Sequence, residues 1–365
     1  MSPTMRRVGL SAGVAAAAAA PVAFAAYRFA VAYRVHAGFP QPRPPIFTPP
    51  DFGLPFEETV VRSPAGDLPA WFVPARDGAR GPAVLLVHGW ESARDRTLPN
   101  ARFLHAAGFH CLSFDVRGHG ANPREELPIS VAEFGADALA AFQALQARPE
   151  VTQVAILGHS LGAVGAIFAA ARDDRVAALV STSAPAGPVM LTRQTFRLAR
   201  LPMPDALAYP LAWFTTRVYV RPRGHAVASI NASRALARYL GPVLLIHGSE
   251  DGVIPVSHLD RLQAAAGRDV ETLVLPGAEH SWLHEHAEYR RVVAGFLARS
   301  LDGPLSPDEA AAIAAEVDCP RLPETDEAFA AVDTRPYGLR AIAQVILPAR
   351  LARGWAATSS TAPRR

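Results

Sequence analysis

The chain contains no lysine: all 36 of its basic residues are arginine, scattered along the sequence rather than gathered in one stretch. Without a basic stripe, a formal charge of +3 does not make a nucleic-acid-binding surface. Cysteine is nearly absent as well. Cys111 in an apolar run and Cys319 in a late polar stretch make no disulfide framework and match no metal-ligand spacing. Charged residues are only 19% against 50% hydrophobic ones, which excludes disorder for most of the chain. The 365 residues allow one large catalytic domain with appendages.

From Val8 to Tyr27 no charged residue occurs, and Arg6-Arg7 precedes this run. Its length suits a helix crossing a bilayer. Residues 1–34 are therefore expected to form a membrane anchor, or an export signal cleaved at Ala23-Phe24-Ala25, with the catalytic domain outside the cytoplasm. Phe29 and Tyr33 would sit in an interfacial belt. The run is mostly alanine rather than leucine, and Pro21 interrupts it, so insertion is marginal on hydropathy. The proline-dense stretch within residues 35–57 reads as an extended, semi-rigid linker.

Glu58–Ser63 and Leu68–Pro74 alternate apolar and polar residues around Pro64-Ala65-Gly66-Asp67, the pattern of an antiparallel hairpin. Continuous apolar runs follow at Ala83–Val87, Val154–Leu157, Val176–Val180 and Val243–Ile246, with helical spacing between them, and Phe109–Phe114 and Val270–Leu275 read as further strands, the latter the last. Runs of this kind are parallel strands buried on both faces, and their alternation with helices predicts a doubly wound α/β sheet. Nearly sixty residues separate the strands near 180 and 243, about twice what a connecting helix needs. An apolar, aromatic helical cap is expected over about 184–240.

Gly158-His159-Ser160-Leu161-Gly162 follows one buried run and opens an alanine-rich helical pattern. A bare Gly-x-Ser-x-Gly arises by chance in roughly one chain in ten of this length, so the surrounding residues decide its meaning. Here a strand precedes it and a helix follows, the setting in which a sharp turn exposes a serine hydroxyl as a nucleophile. Gly248-Ser249-Glu250-Asp251-Gly252 then ends a later strand, where a carboxylate can orient a histidine, and Asp251 is preferred to Glu250. His280 lies on the loop after the last strand and is the expected general base. His284 and His286 follow it, but without a carboxylate network the three histidines do not read as a zinc site. Asp115 and Arg117 are read as structural.

These residues together resemble the α/β-hydrolase superfamily, in particular its serine-hydrolase branch of esterases, monoacylglycerol-lipase-like enzymes and proline-aminopeptidase-like peptidases. The resemblance spans about 58–301. It implies an α/β-hydrolase fold with Ser160 as nucleophile, Asp251 as acid and His280 as base. It also implies an oxyanion hole from the backbone N–H groups of Trp90, in His88-Gly89-Trp90, and Leu161. An aspartate nucleophile, as in haloalkane dehalogenases and epoxide hydrolases, is absent.

The expected activity is a serine hydrolase cleaving an apolar small-molecule ester, with a lipid-like or medium acyl chain, through an acyl-enzyme intermediate, with no metal or organic cofactor. A peptidase or thioesterase of the same fold is the alternative, and a non-catalytic membrane-associated binding protein a second one. Residues 302–365 read as a helical extension. It opens with the capping box Ser306-Pro307-Asp308-Glu309 and carries a basic, apolar segment at Tyr337–Trp355 suited to a membrane surface or to docking on the domain.

Overall fold

Each buried strand feeds two cores at once, because successive side chains point to opposite faces of the sheet. The computed structural model describes residues 3–76, 78–199, 201, 203–268 and 270–322, with side chains from residue 19 onward. In chain order it contains α1 (Pro3–Ala37), β1 (Glu57–Ser63), β2 (Gly66–Val73), β3 (Gly81–Val87), α2 (Leu98–Ala106), β4 (His110–Phe114) and α3 (Val131–Gln146). Then follow β5 (Val151–His159), α4 (Leu161–Ala170), β6 (Val176–Thr182), α5 (Pro188–Leu198), α6 (Asp205–Val220) and α7 (Ala232–Leu236). The last elements are β7 (Val243–Gly248), α8 (Ser257–Ala266), β8 (Glu271–Leu275), α9 (Ala287–Ser300) and α10 (Pro307–Glu316).

The eight strands form one sheet in the order β1-β2-β4-β3-β5-β6-β7-β8. The β1-β2 hairpin joins β4 in antiparallel fashion, and every pairing from β4 onward is parallel. Leu85, Ile156, Leu179 and Leu245 face α3, α4, α7 and α8, whereas Val84, Ala155, Val180 and Leu244 face α2, α9 and α10. This is the expected mostly parallel α/β-hydrolase sheet with helices on both faces.

Helices α3 and α4 interlock through two glycines. A methyl group on Gly135 would lie 2.6 Å from Phe168 Cβ, and one on Gly165 would lie 3.0 Å from Phe134 Cβ. The close approach fixes α4, and with it the turn that carries Ser160.

The insertion between β6 and β7 supplies α5 and α6 as the cover over the strand ends, and α7 returns to the sheet. The N-terminal region departs from expectation. Among the described residues no helix is long and apolar enough to cross a membrane. Alanine contributes too little hydropathy, and Pro21 lies inside α1. Phe29 and Tyr33 pack edge-on against Phe196 of the cap at 5.4 and 5.8 Å, rather than forming an interfacial belt. The proline-dense stretch is likewise no free spacer. Pro49–Phe52 forms a 3₁₀ turn, Phe52 and Leu54 are buried in the core on the α2, α9 and α10 side, and Ile46 N–H donates to Asp95.

Beyond α9, the Ser306 capping box starts α10, whose last carbonyls accept from the Arg290 guanidinium. Cys319 is buried beside Pro99. The segment expected from Tyr337 to Trp355 lies outside the described residues.

Candidate active site

The turn between β5 and α4 holds Ser160 at φ 54° and ψ −119°, a backbone conformation that side chains rarely adopt. Two glycines make room for it. A methyl on Gly158 would lie 2.4 Å from Gly162 O, and one on Gly162 would lie 2.3 Å from His88 O and 2.4 Å from Val87 O. The β5-α4 turn therefore touches the end of β3 backbone to backbone. Ser160 N–H donates to Thr182 O at 2.9 Å, which ties the turn to β6 on its other side.

Ser160 Oγ–H donates to His280 Nε2 at 3.0 Å, and His280 Nδ1–H donates to Asp251 Oδ2 at 2.7 Å. The three side chains come from the carboxyl ends of β5, β7 and β8. Asp251 Oδ1 accepts from Val253 N–H and Ile254 N–H at 2.9 and 2.7 Å. Burial alone would raise its pKa, yet the hydrogen bonds from His247 and His280, the charge of His280 and the Ile254 N–H outweigh it. The carboxyl is held well below the usual carboxylate range and stays ionised.

The histidine loop is fastened by its own backbone. His159 Nε2–H donates to His280 O at 2.8 Å, and Ser183 Oγ–H donates to the same carbonyl at 3.2 Å. Burial, followed by the neighbouring His280, pushes the His159 pKa down to about 3, so this ring is a neutral donor. His247 Nε2–H lies between Ile254 O at 2.7 Å and Asp251 Oδ2 at 3.2 Å. Sequence reasoning passed over His159 and His247. The available signals were their places inside the serine pentapeptide and at the end of β7, four residues before Asp251.

Leu161 opens α4, where an N–H has no acceptor within the helix. Trp90 follows Gly89, and a methyl on Gly89 would lie 3.3 Å from Ser160 Cβ. Trp90 and Leu161 both line the cavity that holds Ser160. The loop carrying Trp90 is set by His88, whose Nε2 accepts from Val116 N–H at 3.0 Å. Burial lowers the His88 pKa to about 4, leaving it neutral. Asp115 accepts from Arg94, and Asp137 from Arg117, in buried pairs that brace the same loops.

The cavity above Ser160 measures about 750 Å³. Its roof comes from α5 and α6, and one wall from the second half of α1. Such a site can do acyl-transfer chemistry: a hydroxyl and a base within hydrogen-bond reach of it line one largely apolar chamber, and an ionised carboxylate orients the base from behind.

The sequence pattern of the alpha/beta hydrolase family matches residues 84–295, which takes in Ser160, Asp251 and His280. The chain belongs to the alpha/beta hydrolase family. An uncharacterized protein of Mycobacterium tuberculosis is 31% identical over 230 residues, covering 61% of this hydrolase and 72% of its own length. The alpha/beta hydrolase domain-containing proteins aho-3 of Caenorhabditis elegans and 17C of Homo sapiens are 29% and 28% identical. Each is matched over about half its length (52% and 49%). Among solved structures, an esterase of Pyrococcus furiosus superposes with a TM-score of 0.56 at 22% identity, covering 72% of this chain and all of its own. An acylaminoacyl peptidase of Pyrococcus horikoshii gives 0.52 at 17% identity, covering 71% and 44%. At such identities these likenesses concern the fold of the hydrolase alone.

Proposed function

We propose that this alpha/beta hydrolase is a serine esterase acting on carboxylic esters with apolar acyl groups. The observation that carries the reading is the unbroken chain Ser160 Oγ–His280–Asp251 opening into an apolar cavity. His280 takes the Ser160 proton as Oγ attacks the acyl carbon, and ionised Asp251 keeps Nδ1 protonated and stabilises the imidazolium. The Trp90 and Leu161 N–H groups receive the oxyanion, each contributing about 3 kcal/mol to lowering the barrier. His280 then protonates the departing alkoxide. Water, deprotonated by the same nitrogen, releases the acid from the acyl-enzyme.

Hydrolysis of nitrophenyl esters set against aminoacyl anilides and acyl thioesters tests the substrate class. Turnover of the esters with Asp251→Asn reduced about 10⁴-fold is the expected result, and preference for anilides or thioesters overturns it. Export is an accompanying proposal, carried by Arg6-Arg7 ahead of the uncharged run. An intact mass corresponding to a chain that begins near Ala26 would show signal cleavage, which leaves Phe29 and Tyr33 in place.

A further inference from the structure

The cavity wall contributed by α1 is fastened at several points. Tyr33 and Thr195 share a hydrogen bond of 2.9 Å across to α5. The Tyr219 hydroxyl of α6 lies 2.9 Å from Ala37 O at the helix end, and Ile129 N–H donates to Gly38 O at 2.7 Å. A methyl on Gly38 would lie 2.6 Å from Pro128 Cβ, so the chain leaves α1 pressed against the main domain. Ala30 is fully buried. The inner face of this segment, held to both cap and core, is part of the enzyme's wall, while Val22, Phe24, Tyr27 and Val35 stay exposed.

The lining of the cavity divides by element. Asn100, Ser281 and His284 bring polar groups on the α2 and β8 side; on the wall built by α1 and α5, Phe29, Ala32, Leu191 and Phe196 make an apolar strip beside the hydrogen-bonded Tyr33 and Thr195. Ala32 is a small residue in that wall, and Phe29 is packed edge-on against Phe196. We infer that α1 is a specificity-determining element, with the ester's acyl chain lying along the wall that α1 and α5 build together and its reach set by Phe29 and Ala32. The inference rests on the esterase reading and assigns the substrate class as esters of medium to long acyl chains.

The test uses the full chain and nitrophenyl esters from butanoate to dodecanoate. In the wild type, kcat/KM rises about fourfold per methylene over the first additions, the gain from burying each CH₂. Ala32→Trp fills the space beside the chain and lowers the dodecanoate-to-butanoate ratio by about tenfold or more. Phe29→Ala removes one wall and flattens the rise, so the outcome does not depend on a single variant that could misfold. Val35→Trp, at an exposed position of the same helix that does not line the cavity, keeps the wild-type profile. If folded Ala32→Trp or Phe29→Ala keeps the wild-type ratio while Ser160 still reacts with a fluorophosphonate, the inference falls and the esterase reading stands. If the wild type fails to react, both fall.

Discussion

Adding one methyl group at Gly162 should damage both the fold and the chemistry. That methyl would lie 2.3 Å from His88 O and 2.4 Å from Val87 O, whereas comfortable carbon contacts start near about 3.5 Å. Both oxygens are backbone atoms at the end of β3, where Val87 pairs with Gly158 in the sheet, so no side-chain rotation relieves the clash. A shift of about 1 Å between β3 and α4 is required. Overpacking of interiors costs about 1–3 kcal/mol, and a rigid backbone on the opposing side puts Gly162→Ala near the top of that range. In a domain of this size about 3 kcal/mol lowers Tm by about 6–12 °C. The same displacement moves Gly89 and Trp90 relative to Ser160, and misplacement by about 1 Å costs about 10²-fold in rate. Gly252→Ala is the control: it lies beside Asp251, yet a methyl there meets nothing within 4 Å. Its effect should stay within about 1 kcal/mol. Calorimetry with ester hydrolysis reads both variants. A Gly162→Ala enzyme that melts and turns over like the Gly252→Ala enzyme refutes this account of the turn.

Acid should destabilise the hydrolase through its buried neutral histidines. Burial lowers the pKa of His88 to about 4 and of His119 and His284 to about 3. The unfolded chain therefore takes up protons below about pH 6.5 that the fold refuses, and each histidine costs about 1.4 kcal/mol per pH unit from there down to its folded value. Urea unfolding between pH 7 and 4 should show this steep loss, and a flat profile contradicts it. Asp251, with its depressed pKa, adds stability above the usual carboxylate range that disappears only at lower pH; Asp251→Asn should flatten that lower limb of the curve. Both cysteines are buried, and burial raises the Cys319 thiol to about 11 and the Cys111 thiol still further. Iodoacetamide should leave the native enzyme unlabelled and fully active, with both thiols reacting once it is unfolded; inactivation of the native enzyme contradicts this.

The sheet was legible because a strand buried on both faces has to read as a continuous apolar run, and β3, β5, β6 and β7 all do. Ser160 and Asp251 could be placed near each other for a related reason: each follows such a run, and parallel strands deliver their carboxyl ends to one edge, where the loop after the more exposed edge strand β8 adds His280. The packing of α1 was hidden because its uncharged, alanine-rich run from Val8 to Tyr27 reads the same whether lipid or protein covers it. Tyr33 and Thr195 are 162 residues apart, and no local pattern announces their hydrogen bond. Nor does periodicity reveal that Phe52 and Leu54, set among prolines, join the buried core that also holds Trp71. The clamps on the histidine loop from His159 and Ser183 were hidden similarly, since their partner is a backbone carbonyl rather than a side chain.

The central claim is that Ser160 is an activated nucleophile. Treatment of the native enzyme with a fluorophosphonate, followed by peptide mass analysis, measures this directly. The account predicts one adduct, on the peptide carrying Gly158-His159-Ser160-Leu161-Gly162, lost in Ser160→Ala and strongly slowed in His280→Ala. An unlabelled wild type, or equal labelling of Ser160→Ala, contradicts it.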